Sequence, residues 1–347
     1  MSQFQEKKAY LDIAKGLAIL VVVLAHTEWA YPIVYQWSDS ILAVFFVVSG
    51  ILLRYLHKED ADLKGFVEKR ARNILYPYVT FGILFGVVLS GFAVVNDNQG
   101  AVDGIINNVI DLVTLNGLSI LWYLPVAFGA EVLALFLIKK SGSRKLFTVI
   151  ILVIAVATCG FSLIAGDLLD LKKVSYFCVL LIDIIMIAVR ISIATVLEGF
   201  GYLIGEYVTG GTERTARCFV EAGAAIVIIY FTNIYTSTTS MMEAYMVNPF
   251  LFYFKYFAMA VFVIAVAKII KSQKILEYFG HNSLLIMLTH IPVPILISSI
   301  VYGIVSSIVP DINKFITLLP LLIIAMLVQA LIIKIVKKYF RFMYVMR

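Results

Sequence analysis

Lys15-Gly-Leu-Ala-Ile-Leu-Val-Val-Val-Leu-Ala-His26 sets a cation and an imidazole at the two ends of an unbroken apolar run. Eleven residues at about 100° each fall within about 20° of whole turns, so in a helix the two side chains share a face, about 16 Å apart along the axis. With Lys15 near one membrane surface, His26 lies roughly mid-membrane, and Asp12 joins the same stripe. An ionisable residue at that depth is costly enough to be a functional-site hypothesis by default.

The run is one of many. Of 347 residues, 62% are hydrophobic and 14% charged, against about 25% charged in soluble domains. Apolar stretches of span length recur from end to end, so the fold class is all-α, a polytopic transmembrane helical bundle. The net charge of +6 is explained by the positive-inside rule and not by nucleic acid, because Lys and Arg fall in alternate loops. Cys159, Cys178 and Cys218 lie in or beside apolar runs, which gives no disulfide framework. The first run lacks a small-x-small cleavage site and contains His26 and Glu28, so it reads as a retained span and not as a signal peptide.

The expected spans are 12–31, 40–56, 74–95, 120–138, 146–165, 191–208, 218–235, 251–270, 283–309 and 315–336. Lys7 and Lys8, Arg54 to Arg72, Lys139 to Lys145, Arg214 with Arg217, Lys268 to Lys274 and the basic C-terminus fall on one side. Asp97, Asp103, Asp111, Asp167, Asp170 and Glu243 fall on the other, with Lys172, Lys173 and Lys314 the lysines there. This places both termini in the cytoplasm and makes the number of crossings even, about ten. Residues 174–190 are apolar enough to cross, yet a full span there would invert every later basic loop. They are therefore expected as a re-entrant or interfacial helix leading into 191–208. Pro292 and Pro294 predict a kink in 283–309. The 57–73 stretch reads as a basic amphipathic helix along the membrane, and Ile105 to Leu115 as a short surface helix.

The residues that could carry chemistry are few. His26, with an ordinary pKa of about 6.5, can serve as a base toward a hydroxyl attacking an acyl carbonyl. Asp12 and Lys15 can pair, or Lys15 can meet a ligand phosphate. Equally, His26 can bond a neighbouring helix while Lys15 snorkels to the headgroups. Lys64, Lys69, Arg70 and Arg72 suit a phosphate, and they also suit anchoring on anionic lipid. Glu28, Arg54, Glu131, Asp183, Arg190, Glu198, Lys255, His290 and Gln329 are too many polar groups to face lipid, and imply a polar interior or a water-filled cavity. Trp122-Tyr123 can be an interfacial aromatic belt. Gly16 and Gly50 are single glycines within helices, and Ser49-Gly50 reads as close packing more readily than as a nucleophile. There is no Cys/His metal spacing, Gly-rich phosphate loop or G-x-S-x-G elbow, so no metal is expected.

In order along the chain, five segments resemble the integral-membrane acyltransferase family 3, and within it the sugar O-acetyltransferases similar to fucose 4-O-acetylase. Tyr10-Leu-Asp-Ile-Ala-Lys-Gly-Leu-Ala-Ile-Leu-Val-Val-Val-Leu-Ala-His26-Thr27 resembles the first span, with a basic residue and a histidine separated by ten residues. Phe45-Phe-Val-Val-Ser-Gly50 resembles the second-span signature, and Phe66-Val-Glu-Lys-Arg-Ala-Arg-Asn-Ile-Leu-Tyr-Pro-Tyr78 the basic stretch before the third. Leu121-Trp-Tyr-Leu-Pro125 with Glu131 is similar to the fourth-span motif, and Tyr278-Phe-Gly-His-Asn-Ser-Leu-Leu-Ile-Met-Leu-Thr-His290 to the late motif ending in histidine.

The resemblance implies one integral-membrane acyltransferase domain over 1–347, with no appended soluble domain of the esterase-like kind that some relatives carry. It implies an O-acetyltransferase that takes acetyl from cytoplasmic acetyl-CoA, a co-substrate and not a resident cofactor, and delivers it to a carbohydrate or glycolipid acceptor. His26, Lys15 and Asp12 would be the catalytic group. Lys69, Arg70 and Arg72 would hold the acyl-CoA phosphates, and Trp122, Tyr123, Glu131, Ser283 and His290 would form or support the acceptor site. Lys15 stands where many relatives have arginine, so a point-charge phosphate contact replaces a bidentate one. The expected location is the bacterial cytoplasmic membrane, in contact with lipid bilayer and without nucleic acid; a homo-oligomer is left open. Two rival readings stay open as well. One is a secondary transporter or flippase for a glycan or lipid precursor with a buried proton relay, against which the lack of an internal repeat weighs. The other is an assembly subunit of a polysaccharide machine without chemistry of its own.

Overall fold

The computed structural model describes residues 3–27, 38–96, 101–171, 175–210, 215–236, 240–244, 246–309 and 314–343. Glu28, Asp97, Lys172, Lys173 and Arg214 lie outside the described residues. The described chain is helical, without a β-strand: α1 (Gln3–Ala25), α2 (Ala43–Tyr55), α3 (Leu63–Arg70), α4 (Tyr76–Asn96), α5 (Ala101–Val113), α6 (Tyr123–Ser141), α7 (Arg144–Leu171), α8 (Tyr176–Gly210), α9 (Thr215–Thr236), α10 (Pro249–Ile270), α11 (Lys274–His281), α12 (Ser283–Thr289), α13 (Leu296–Ile308) and α14 (Lys314–Tyr339). The expected basic helix before the third span is α3, which the side chain of Asp62 caps by accepting from the Gly65 amide at 2.8 Å. The expected surface helix is α5, beginning four residues earlier than its apolar pattern suggested.

Among the described residues, seven helices are long and apolar enough to cross a membrane: Leu63–Gly91, Ser119–Ser141, Arg144–Leu171, Tyr176–Gly210, Thr215–Thr236, Pro249–Ile270 and Thr317–Tyr339. The other three expected spans fall outside this set, each for its own reason. α1, 23 residues long, carries Lys8, Asp12 and Lys15 in its most apolar stretch, and it stops at Ala25, one residue before His26. α2 is 13 residues long, preceded by a 3-10 turn over Asp39–Leu42. The 283–309 run is divided into α12 and α13 by a π turn over Ile291–Ile295. Pro294 has no N–H to offer the His290 carbonyl, so Ile295 donates to it instead at 3.1 Å, one residue further on than in an α-helix.

The re-entrant or interfacial helix expected near 174–190 is not a separate element: Tyr176 to Gly210 is one continuous helix of 35 residues, about 52 Å long. Asp183 and Arg190, which suggested an interruption, are two turns apart on one face and buried, at 0% and 4% exposure. Arg190 donates to Asn116 Oδ1 at 2.5 Å, so the cation is satisfied inside protein and the helix need not break around it.

The chain divides into two compact units. The first comprises Met1–Val48, Gly210–Thr238 and Leu251–Phe340. Here α1 is enclosed, with Ile13, Ala14, Ala18 and Ile19 fully buried. It crosses α11 at backbone contact: a Cβ on Gly16 would meet the Leu276 carbonyl, and one on Gly280 the Asp12 carbonyl. Two motifs 260 residues apart in the chain are thus locked together by the absence of side chains.

The second unit comprises Ser49–Thr209, Thr239–Phe250 and Arg341–Arg347. Gly50 on α2 lies against the Glu198 carbonyl on α8 in the same way. Along α7, Val149, Leu152, Val153, Val156 and Leu163 are more than half exposed. A row of large apolar side chains with no protein over it is the surface that lipid covers.

Candidate active site

In the first unit, two histidines meet where two helices end. α1 stops at Ala25 and α12 at Thr289, and in each case the ring of the next residue bonds back to the last turn, at α12 beside the His290 amide, which donates to the Ile286 carbonyl at 3.0 Å. His26 Nδ1 is 2.8 Å from the Val22 carbonyl, and His290 Nδ1 is 3.0 Å and 3.1 Å from those of Ile286 and Met287. Thr27 Oγ1 donates to the Leu24 carbonyl at 2.5 Å and completes the α1 cap.

A carbonyl can only accept, so both Nδ1 atoms carry the proton and both Nε2 atoms of the neutral rings hold a lone pair. His290 Nε2 lies 3.4 Å from His26 Nδ1, and the rings are edge to face with centroids 4.9 Å apart. His26 Nδ1–H therefore faces two acceptors, which fixes its tautomer and orients the ring. His26 Nε2, with no partner among the described residues, is the lone pair left for a substrate, on an exposed side chain. His290 is fully buried. Beside it, Thr289 Oγ1 accepts from Gln329 Nε2 at 2.7 Å. Asp12 and Lys15 form an ion pair at 2.7 Å. Ser283 opens α12 two turns before His290, on the same face.

A second constellation lies in the second unit. Glu131 on α6 receives a side-on fork from Arg70, with Nη2 donating to Oε1 at 2.5 Å and Nε facing Oε2. Ser49 Oγ donates to the same Oε1 at 2.8 Å. Glu198 on α8 is fully buried close by, and neither of its carboxylate oxygens has a hydrogen-bond partner among the described residues. Arg70, Lys69 and Lys58 line a cavity of about 330 Å³ floored by Phe66, over whose ring Arg70 stands at 5.7 Å and Lys58 at 5.9 Å. Burial, and then the neighbouring positive charge of Arg70, push the Lys58 ammonium below its usual value, with Glu131 and Glu198 opposing.

Trp122 is buried and lies under the Arg190 guanidinium at 5.8 Å, so it is no lipid-facing belt residue. Arg190 in turn reaches Asp111 through Asn116, whose Nδ2 donates to Asp111 Oδ1 at 2.8 Å. Tyr123 is buried next to Trp122, with ring centroids 6.3 Å apart.

The expected groupings are thus partly redistributed. His26 and His290 come together, with Asp12, Lys15 and Ser283 in the same unit. Lys69 and Arg70 share a cavity, whereas Arg72 is exposed and does not line it. Glu131, expected to form or support the acceptor site, is paired with Arg70. Lys58, Ser49 and Glu198 join the second constellation without having been singled out for it. No spacing could have found them, since their partners lie up to 82 residues away.

Residues 8–335 match the family model described as an acyltransferase domain. No curated protein and no solved structure matches the chain.

Proposed function

The chain belongs to acyltransferase family 3, and from that premise we propose that it moves an acetyl group from cytoplasmic acetyl-CoA to a hydroxyl of an extracytoplasmic or membrane-linked carbohydrate, in the manner of the sugar O-acetyltransferases. The observation that carries the reading is the fixed tautomer of His26: its Nδ1–H is committed to Val22, and its Nε2 lone pair is open. Nε2 takes the proton of the acceptor hydroxyl as the oxygen attacks the thioester carbonyl. The tetrahedral intermediate then expels CoA sulfur, which recovers that proton from His26, so the products are the acetyl ester and CoA–SH. His290 positions the His26 ring and accepts from it while it is charged. A metal is not invoked; among the described residues no group of three His, Cys, Asp or Glu side chains is placed to hold one.

Lys69 and Arg70, with Lys58, supply the positive charge for the CoA phosphates. Glu131 holds the Arg70 fork in place, and Lys15 adds a cation on the His26 face of α1. Trp122, Tyr123 and Ser283 support the acceptor path. The charge pattern of the loops favours about ten crossings with both termini cytoplasmic in a bacterial inner membrane, and α8 as a single long helix is compatible with that count.

The test is acetyl transfer from radiolabelled acetyl-CoA by the purified protein, beside His26→Ala, with acetyl-CoA binding read in both. Turnover lost in the variant while binding is retained supports the base; full turnover in His26→Ala would overturn it.

A further inference from the structure

The three-residue 3-10 turn Lys58–Asp60 stands between two cavities. Lys58 faces the cationic one described above, whereas Glu59 and Asp60 line a larger one of about 570 Å³ in the same unit. At about 2 Å rise per residue, the two are separated by only a few ångströms of chain. The larger cavity differs in character. Arg54 in its wall is fully engaged by Glu59 at 3.0 Å, by Tyr202 at 3.1 Å and by Glu206. Lys139 and Arg144 stand at its edge on exposed side chains; Arg144 touches Glu206 at 3.3 Å, and Lys139 has no ion pair among the described residues. The aromatic Phe147 and Tyr202 complete it.

Glu59 is engaged by Arg54, which leaves Asp60 as the exposed carboxylate of this cavity beside the cations Lys139 and Arg144. The mixture suits a ligand that offers both donors and phosphate next to an aromatic ring. A nucleoside phosphate does so: ribose hydroxyl or exocyclic amine toward Asp60, phosphate toward Lys139 and Arg144, base toward Tyr202 and Phe147. The volume lies within the range of about 300–1,000 Å³ usual for small-molecule sites.

We propose that this cavity binds the adenosine 3′-phosphate end of the acyl-CoA donor, with the pyrophosphate across the turn in the cavity of Lys58, Lys69 and Arg70. The assignment rests on the acyl-CoA reading above and goes beyond it by dividing the nucleotide between two sites and giving the 3′-phosphate to Lys139. Arg54, held by Glu59, Tyr202 and Glu206, forms part of the wall of this cavity.

The experiment compares binding of acetyl-CoA and 3′-dephospho-acetyl-CoA to the purified full chain, its Lys139→Met variant and its Lys58→Met variant. The wild type is expected to prefer the 3′-phosphorylated form by about tenfold, the worth of one charge-assisted phosphate contact. Lys139→Met should reduce that preference to within about twofold and leave affinity for the dephospho form unchanged, which also shows that the variant is folded. Lys58→Met should weaken both ligands together. Equal binding of the two ligands by the wild type, or a preference that survives in Lys139→Met, overturns the subsite while leaving the acyl-CoA reading intact. No binding of either ligand by the wild type overturns that reading itself, and the subsite with it.

Discussion

Replacing Glu131 by Gln removes one charge and almost no volume, and isolates what the Arg70 fork contributes. The carboxylate accepts from Arg70 Nη2 and from the Ser49 hydroxyl at Oε1, and its Oε2 is ion-paired with Arg70 Nε. A glutamine has one carbonyl oxygen, and its NH₂ can only donate. Turned toward Arg70, the NH₂ opposes another donor; turned away, it leaves one arm of the guanidinium unpaired. Breaking a buried ion pair by removing one partner costs about 3–5 kcal/mol. Here the Arg70 side chain is 25% exposed against 9% for Glu131, so water screens part of the loss and about 2–3 kcal/mol is the reasoned figure. At about 2.1 cal/mol/K per residue the 347-residue chain has an unfolding entropy of about 0.7 kcal/mol/K, so the variant should melt about 3–4 °C lower. The assay is thermal unfolding of the purified protein for Glu131→Gln, Arg70→Met and the double variant. In the double variant the orphaned guanidinium is gone, so it should melt close to Arg70→Met, with a coupling of about 2 kcal/mol. Additive losses, or a Glu131→Gln melt within about 1 °C of wild type, would refute the claim that this pair is a structural anchor.

Gly280→Ala places a methyl on the Asp12 carbonyl and should cost about 1–3 kcal/mol in a melt, while Gly303→Ala, where nothing lies within 4 Å, should be neutral or slightly stabilising. His26→Asn retains an N–H where Nδ1–H sits and loses Nε2, so it should match wild-type stability, exceed His26→Ala by about 1 kcal/mol, and remain inactive; an active His26→Asn would remove Nε2 from the mechanism. Lys58 sits below its usual value in the free protein, and a bound phosphate raises it again, so binding takes up a proton between the two values. Acetyl-CoA affinity should therefore fall as pH rises through that window, and should fall less in Lys58→Arg, which stays charged; identical pH slopes from about pH 7 to 10 would exclude Lys58 from the anion site.

The membrane class and most spans were legible in the sequence because hydropathy acts locally: a run such as Arg144 to Leu171 needs no partner to be recognised. What escaped depends on partners. α1 ends before His26 with neither glycine nor proline to mark it, because the imidazole and the Thr27 hydroxyl cap the helix, and such residues look the same inside a span. Asp183 and Arg190 suggested a break for the opposite reason: charges in an apolar run read as an interruption until Asn116, 74 residues away, satisfies the cation. Glu131 was visible as a polar anchor in the fourth-span motif. Its attachment to Arg70, 61 residues back, was not.

A helix that ends inside a membrane protein can satisfy its last carbonyls in part from its own side chains. At both breaks in the first unit the group that does so is a histidine, and the contact has a chemical consequence. Each capping Nδ1 is obliged to carry the proton, so each ring turns a lone pair away from its own helix. At α12 the His290 amide donates to the Ile286 carbonyl and the ring reaches the Ile286 and Met287 carbonyls besides; the helix breaks beyond it, where Pro294 has no N–H for the His290 carbonyl. The glycine contacts of α1 with α11 then fix how close the two ends come, since Gly280 belongs to the segment that leads into His290. Helix termination, proline register and glycine packing thus act on one quantity, the direction of the His26 Nε2 lone pair, and that is the quantity a general base needs fixed before its substrate arrives.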